Sequence, residues 1–290
     1  MTPFRTPRRT VFSSLWITAA ITAAITLSGC KGSAAVSAER AAEHVSFLAT
    51  AVNADVEEVK VGLPKGAQLL QDYFLQAEFE DAQAARDLLD RTRSKVQDLR
   101  VAKSTFFALV DLKGNVIRSD QEHDALAGKN LLKAFPELER ALSGSYLETR
   151  GEIAEAAGVR GRKDAQWLAA QTVSAGGQPK GLYVTGWSFS AYAYRLENQL
   201  RGQIRSTLQA QDKQPLVYVF VVVGEQVFGA PITPEVNARA IHDQGFSKKP
   251  ASSTPIKVEL ELTGRDFGAA YQATPALGKS AGVAVLRSET

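Results

Sequence analysis

The side chains that usually perform catalysis or hold metal ions are few in this sequence and lie far apart. Its three histidines are His44, His123 and His242, and Cys30 is its only cysteine. No two of them have the spacing of a metal-binding motif, and neither a Gly-rich phosphate loop nor a G-x-S-x-G nucleophile elbow is present. We therefore expect no enzymatic activity, no cofactor and no metal site, and a function that depends on binding.

Residues 1–29 have the three parts of an export signal. The N-terminal part carries Arg5, Arg8 and Arg9 and no acidic residue, and the apolar run SSLWITAAITAAIT follows it. This run is shorter than the roughly 20 residues that span a bilayer comfortably. The segment Leu27–Cys30 then resembles a bacterial lipobox, in which the signal is cleaved before the cysteine and the thiol is acylated.

The lipobox resemblance implies that Cys30 is lipidated and becomes the N-terminus of a cell-envelope lipoprotein. Two or three acyl chains make a stable membrane anchor, whereas a single chain does not. Lys31 follows the cysteine and no aspartate stands there, which by the same resemblance slightly favours the outer membrane. The alternative is an uncleaved N-terminal anchor in which the cysteine has no role.

Removal of residues 1–29 leaves a chain with no basic excess. Three of the 34 Lys and Arg residues lie in that segment and none of the 31 acidic residues does, so 31 of each sign remain. Nucleic-acid binding needs a basic surface that neutralises phosphates, and we therefore expect no nucleic-acid partner. A hydrophobic content of 44% is sufficient for folded cores and argues against a disordered stalk.

Two helical segments are expected before the first strand. Residues 38–61 have apolar side chains at helical spacing, residues 62–66 (GLPKG) are expected to break the helix, and residues 67–100 have the pattern of a second long helix. A further amphipathic helix is expected at about 191–210. These helices are expected to cover β-sheets, because each sheet must bury one face.

The strand pattern occurs twice in the same order. In the first unit, strands at 104–111 and 116–119 precede a short helix that begins at Pro136 and ends at Gly144. In the second unit, a hairpin precedes a short helix that begins at Pro234. The other expected strands are 146–150, 166–173, 181–189, 217–223, 227–229, 256–262, 268–274 and 282–287. The sequence therefore predicts an α+β fold with two five-stranded antiparallel sheets in a PAS-like arrangement.

This pattern resembles an extracytoplasmic Cache sensor domain. The resemblance in the first unit rests on Phe107–Asp120 (FALVDLKGNVIRSD), Gly128–Leu131 and the Pro-started helix that ends in Ser143–Gly144. The second unit, with Gly264–Tyr271 and a closing strand, resembles the membrane-proximal half of a double Cache. The resemblance covers about residues 66–288. It implies two PAS/Cache-like modules packed on long N-terminal and connecting helices, and a small-molecule pocket, usually in the first module.

The expected organisation has four parts. Residues 1–29 are the lipoprotein signal peptide, and 30–65 are the lipid tether and first helix. Residues 66–211 are the long helix, the first (distal) Cache-like module and the connecting helix, and 212–290 are the second (proximal) PAS-like module.

The resemblance also indicates candidate ligand-binding residues. In folds of this kind the ligand lies between the sheet and the loops and short helix that cover it. By their position in the first module, the candidates are Tyr146, Arg150, Trp167, Tyr183 and Trp187. An arginine fork suits a carboxylate, and aromatic walls suit a small ligand. The Tyr/Arg/Trp/Tyr/Asp pattern of the amino-acid-binding subfamily is not found in clear register, so the ligand class stays open.

Two functions remain from these observations. Cache sensors usually continue through a membrane-spanning helix into a signalling domain, whereas this sequence ends at Thr290, and no apolar run of about 18 residues follows the first segment. We therefore expect a lipid-anchored small-molecule sensor that acts through a separate envelope or signalling protein. The alternative is a structural or adaptor lipoprotein that binds another protein and no small ligand.

Overall fold

Two antiparallel β-sheets, one following the other along the chain, form the body of the protein. The computed structural model describes residues 33–76, 81–154, 163–209 and 212–289, which fall within one compact unit. The predicted export segment and Cys30 lie outside the described residues, and export and lipidation therefore stay predictions.

One long N-terminal helix precedes an alternation of shorter helices and strands in the described part of the chain. The α-helices are α1 Ser33–Leu69, α2 Gln71–Gln76, α3 Ala82–Lys95, α4 Gln97–Val101, α5 Leu131–Ala134, α6 Phe189–Thr207 and α7 Glu235–Asp243. Short 3₁₀ helices are Pro136–Ser143, Phe246–Lys248 and Pro275–Leu277. The strands are β1 Phe106–Val110, β2 Val116–Ser119, β3 Leu147–Ala154, β4 Lys163–Ala175, β5 Gln178–Ser188, β6 Leu216–Val223, β7 Gln226–Gly229, β8 Ile256–Leu262, β9 Arg265–Ala273 and β10 Ala281–Ser288.

The two sheets have the same strand order. The first sheet has the order β2-β1-β5-β4-β3 and the second has the order β7-β6-β10-β9-β8, so each strand corresponds to the one five places later. All neighbouring pairs are antiparallel. The predicted α+β architecture of two five-stranded antiparallel modules is confirmed.

One face of each sheet packs against α1 and α6. Successive residues of a strand point to opposite faces. On this face the first sheet presents Phe107, Trp167 and Tyr183, and the second presents Val219 and Val285. All five lie in one hydrophobic core with residues of α1 and α6. A single pair of helices thus covers both sheets, which is the two-layer arrangement that buries a sheet face.

The opposite face of each sheet has its own local cover. In the first module, the 3₁₀ helix Pro136–Ser143 and the end of α5 place Leu138 and Phe135 in a second core with Phe106 and Leu168. In the second module, α7 takes part in a third core on the corresponding face. Each module therefore has one face covered by the shared helices and one face covered by its own short segments.

Local sequence signals explain the β1–β2 turn and the short helix that follows. The Asp111 carboxylate accepts hydrogen bonds at 2.8 Å from the backbone N–H groups of Lys113 and Asn115, which closes the turn. The 3₁₀ helix begins at Pro136 and is followed by Gly144, whose φ of +107° lies in the region that favours glycine. The sequence prediction of these two features is confirmed.

The predicted helix break at residues 62–66 is wrong, because α1 continues through that segment to Leu69. Pro64 lies inside the helix and removes the N–H donor for the carbonyl one turn earlier, a cost of about 3 kcal/mol in an isolated helix. Tertiary packing on both sides of the proline offsets this cost.

The two glycines of that segment serve close packing rather than helix termination. A Cβ atom on Gly62 would lie 2.7 Å from Cδ2 of Leu99, and one on Gly66 would lie 2.7 Å from Cε1 of Tyr183. These distances are below van der Waals contact. The absence of side chains thus allows α1 to approach α4 and β5 closely.

The prediction of a second long helix at residues 67–100 is also wrong, because the described residues of this segment form several shorter helices. α3 begins after Asp81, whose carboxylate accepts hydrogen bonds from the backbone N–H groups of Gln83 and Ala84. It ends at Lys95, and the next residue, Val96, has an extended backbone and a buried side chain. A strong N-cap and a buried β-branched residue therefore set boundaries that the helical pattern alone did not indicate.

Replacement of Gly66 by alanine should lower the free energy of unfolding by about 1–3 kcal/mol, since the new methyl group overlaps buried side chains. Gly202 offers a matched control in α6, because no neighbouring heavy atom lies within 4 Å of an added Cβ there. Gly202→Ala should stabilise by about 0.5–1 kcal/mol through helix propensity. Urea denaturation measures both values, and a Gly66→Ala protein as stable as Gly202→Ala would contradict the packing role.

Candidate functional site

A cleft of about 560 Å³ lies between the two modules. On one side it is bordered by β3 and β4 of the first sheet, where β3 is the edge strand. On the other side it is bordered by the β6–β7 turn at Gly224 and by the segment Leu277–Lys279. We call it the inter-module cleft. Its volume is in the range of sites that hold small molecules.

Arg150 and Trp167 are the two sequence-predicted residues that line this cleft. They are directly opposite in the β3–β4 register and therefore share a face of the sheet. The Trp167 ring is buried and contributes to the apolar floor, whereas the Arg150 side chain is exposed. The guanidinium is positioned by the second module: its Nη1 donates to the carbonyl of Lys279 at 3.4 Å, and a Cβ on Gly278 would be 2.9 Å from its Cζ.

Charges of both signs border the cleft. Arg150 and Lys279 supply positive charge, and the carboxylates are those of Glu137, Glu148 and Glu152. A guanidinium binds a carboxylate through two parallel hydrogen bonds, and a glutamate accepts from an ammonium group. The arrangement can therefore bind a small molecule that carries both a negative and a positive group.

Tyr146 acts on the cleft through Glu148. Its O–H donates to Oε1 of Glu148 at 3.0 Å. Burial raises the pKa of Glu148, and the hydrogen bond from Tyr146 and the charge of Lys60 oppose that rise. The pKa of the Tyr146 hydroxyl is itself raised, chiefly by burial. Tyr146 is thus half-buried beside the cleft and positions one of its carboxylates.

Tyr183 and Trp187 lie outside the inter-module cleft. Tyr183 is fully buried and stacks on Phe107 with ring centroids 5.7 Å apart. Trp187 is stacked between Trp167 at 4.1 Å and Tyr192 at 4.7 Å. Their side chains belong to the core that the sheet shares with α1 and α6. Whether either residue contacts a ligand stays a prediction.

The three aromatic strand candidates lie on the face of the sheet that is opposite the short helix. Strand alternation puts Trp167, Tyr183 and Trp187 together on the side covered by α1 and α6. The side beneath the short helix, where the resemblance implies the pocket, instead carries buried apolar side chains: Phe106, Leu126, Leu131, Phe135, Leu138 and Leu168. Strand alternation shows which side chains share a face of the sheet. It does not show which helices pack against that face.

The residues that border the cleft from the second module were not identified from the sequence. Gly278 and Lys279 lie between β9 and β10, more than 100 residues from Arg150. Gly278 has a φ of +105°, so the backbone turns there in a conformation that favours glycine. The glycine at position 278 indicates a turn in the sequence. It does not indicate that this turn contacts the first module.

Two kinds of feature are absent from the described residues. In the ranges that the structure covers, no group of three or more His, Cys, Asp or Glu side chains is arranged to hold a metal ion. Within the same ranges, no helix has the length and hydropathy needed to cross a membrane.

No protein-family model matches the sequence, and no curated protein matches it. Among solved structures, a domain of a sensory box/GGDEF family protein from Vibrio parahaemolyticus is 10% identical with a TM-score of 0.57, over 89% of this chain and 98% of that chain. The extracellular domain of a protein described as a histidine kinase, vpHK1S-Z8, is also 10% identical with a TM-score of 0.57, over 89% and 92% of the two chains.

This likeness concerns the fold. Two five-stranded antiparallel sheets with the same strand order, packed on one long helix, define an α+β fold of the tandem PAS/Cache-like class.

The Asp120 carboxylate is close enough to Tyr183 to contribute to the raised pKa of that hydroxyl, and the pKa of Asp120 itself can be tested. Its Oδ1 accepts from the backbone N–H of Phe107 at 2.8 Å, and burial raises its pKa from 3.8 to about 6. A carboxyl whose pKa is raised on folding stabilises the protein fully below pH 3.8, and this contribution is lost as the pH rises to about 6.

Asp120→Asn keeps the acceptor oxygen and cannot ionise. Between pH 4 and pH 7, the wild type should therefore lose about 2 kcal/mol more unfolding free energy than the variant. Urea denaturation across this range measures the difference, and parallel pH profiles for the two proteins would show that the Asp120 carboxyl is not perturbed.

Proposed function

We propose that this protein is an extracytoplasmic, lipid-anchored sensor that binds a small molecule and acts through a separate protein. The observation that carries the proposal is the inter-module cleft, where Arg150 of the first module reaches the backbone at Lys279 of the second. A ligand in this cleft contacts both modules at once. Its binding free energy therefore depends on how the modules are arranged, which is the property that a sensor needs.

The ligand class follows from the charges of the cleft. Arg150 and Lys279 suit a carboxylate, and Glu148 and Glu152 suit an ammonium group, above an apolar floor that includes Trp167. We therefore propose a small zwitterionic metabolite with an apolar body. A ligand with a single type of charge would leave one set of charged groups without a partner.

The lipid anchor and the separate partner rest on sequence features. Cys30 in the lipobox-like segment would anchor the protein in the cell envelope, facing the periplasm or the exterior, with the outer membrane slightly favoured. An acyl chain enters one leaflet only. A change in the modules would then have to reach the cell through contact with another envelope or signalling protein.

One observation favours the second candidate, a structural or adaptor lipoprotein without a small ligand. The face beneath the short helix, where the family resemblance puts the ligand, is packed with apolar side chains that include Phe106, Phe135 and Leu168. A module that has lost its ligand pocket retains its surface for another protein.

The ligand proposal predicts a stabilisation that depends on Arg150. A bound ligand at 100 times its dissociation constant should add about 2.7 kcal/mol of stability. Screening the full-length chain by thermal unfolding against zwitterionic, anionic and cationic metabolites should identify a zwitterion. Arg150→Gln should then weaken its binding by about tenfold or more, because the carboxylate loses a charged hydrogen-bond partner.

Arg140→Gln is the matched control, because Arg140 is an exposed arginine on the neighbouring 3₁₀ helix and does not line the cleft. This variant should bind as the wild type does. Binding that survives Arg150→Gln would reject the site, and no stabilisation by any metabolite would favour the adaptor function.

The lipobox resemblance predicts that Cys30 carries the membrane anchor. Cells grown with labelled palmitate should yield a labelled wild-type protein and an unlabelled Cys30→Ser protein. The variant should also keep its export signal uncleaved, which electrophoresis detects as a larger chain. A labelled Cys30→Ser protein, or an unlabelled wild type, would contradict the assignment.

A further inference from the structure

A second concave region lies where α1, the α4–β1 connection and α6 meet. It consists of two adjoining cavities of about 350 and 700 Å³, which share Lys103, Arg195 and Asn198. Arg93 and Arg100 also border the larger cavity. We call this region the basic groove. It has no lining residue in common with the inter-module cleft.

Positive charge dominates the basic groove. Four cationic side chains line the larger cavity, and among its described lining residues Asp55 is the one carboxylate. Asp55 is already engaged, since its Oδ2 accepts from the Tyr192 O–H at 2.6 Å, and burial raises its pKa. Residues 30–290 carry equal numbers of acidic and basic side chains. The groove is therefore a local separation of charge in an otherwise balanced chain.

Two of the four cations are available to a ligand. Arg93 donates to a backbone carbonyl and lies over the Phe107 ring at 5.2 Å, and Arg100 donates to a side chain of its own helix. Lys103 and Arg195 are exposed. The Asp55 carboxylate attracts both charges, but neither side chain donates a hydrogen bond or forms a close ion pair with a described residue. Their ammonium and guanidinium groups keep all their donors free.

The wall of the groove is aromatic and contains an unused donor. Ala191, Arg195 and Asn198 are spaced to share one face of α6 and form one side. The Trp187 ring lines the smaller cavity, and its indole N–H is buried without an acceptor among the described residues. Tyr194 stands at the rim with 47% of its surface exposed. An exposed cation is ordinarily only solvated. Here, however, two cations without hydrogen-bond partners line the same region as an aromatic wall and a buried indole N–H that has no acceptor, and such a combination is typical of a binding site.

We propose that the basic groove binds a small anion with two or more negative charges, either a di- or tricarboxylate or a phosphate. Lys103 and Arg195 are its charge partners. At least two negative charges are needed to occupy both free cations. The smaller cavity, at about 350 Å³, is of a size suited to a small molecule and not to a folded partner. This site does not depend on the inter-module cleft or on its ligand.

Calorimetry on the full-length chain tests the proposal with citrate, succinate, inorganic phosphate and acetate as probes. The divalent and trivalent anions should bind with dissociation constants below about 1 mM, and acetate should bind more weakly. The tryptophan fluorescence should change on binding, because Trp187 lines the groove. The pattern over citrate, succinate and phosphate distinguishes a carboxylate site from a phosphate site.

Lys103→Gln and Arg195→Gln should each weaken the binding by about tenfold, and the double variant should abolish it. Arg205→Gln and Lys180→Gln are the matched controls. Arg205 is an exposed arginine near the end of the same helix, and Lys180 is an exposed lysine on β5. Both controls should bind as the wild type does.

Three outcomes would overturn the proposal: no binding of any polyvalent anion below about 1 mM, unchanged binding by the double variant, or equal losses in the control variants. Arg150→Gln separates this site from the inter-module cleft. This variant should leave anion binding in the groove unchanged. The proposal for the groove and the proposal for the cleft can therefore be rejected independently.

Discussion

The continuity of α1 is the constraint on which the rest of the structure depends. The helix has 37 residues and, at 1.5 Å per residue, a length of about 55 Å. Near its start, a Cβ on Gly268 of β9 would be 1.9 Å from the backbone nitrogen of Ala38, and near its end Gly66 lies against Tyr183. Both sheets thus approach the backbone of one helix closely. The length of the helix between these contacts sets the separation of the two modules.

The inter-module cleft results from this separation, whereas the basic groove results from the packing of α1 on α6 and the first module. The inter-module cleft lies at the edge strand β3, and the basic groove lies where α1 passes α6. The aromatic stack of Trp167, Trp187 and Tyr192 lies between them, with a hydrogen bond from Tyr192 to Asp55 of α1. Trp167 borders the cleft and Trp187 borders the groove. Stacked rings at these distances stabilise the packing, so the stack connects the first-module wall of the cleft to one wall of the groove.

Local patterns predicted the strands and their repetition because each strand is bounded by its own turn residues, such as Asp111 and Gly144. The same reasoning failed at residues 62–66, since a glycine ends a helix in isolation but serves close packing when Leu99 and Tyr183 lie opposite. The strand register of the structure places Trp167, Tyr183 and Trp187 on one face, and the identity of the helices that cover that face depends on the whole chain. The basic groove combines residues 93, 100, 103 and 195, and no local pattern connects them.

The distribution of charge gives the two sites different roles in the proposed mechanism. The inter-module cleft has groups of both signs, and Arg150 and Lys279 come from different modules. A ligand there would bind fully only when the modules are placed to present both sets of groups, and its binding would therefore favour one placement. The basic groove takes Lys103 and Arg195 from segments that flank the first sheet. An anion there would be held by one module and the shared helices, so its binding is insensitive to the position of the second sheet. The cleft is therefore the site at which a ligand would change the arrangement of the two modules.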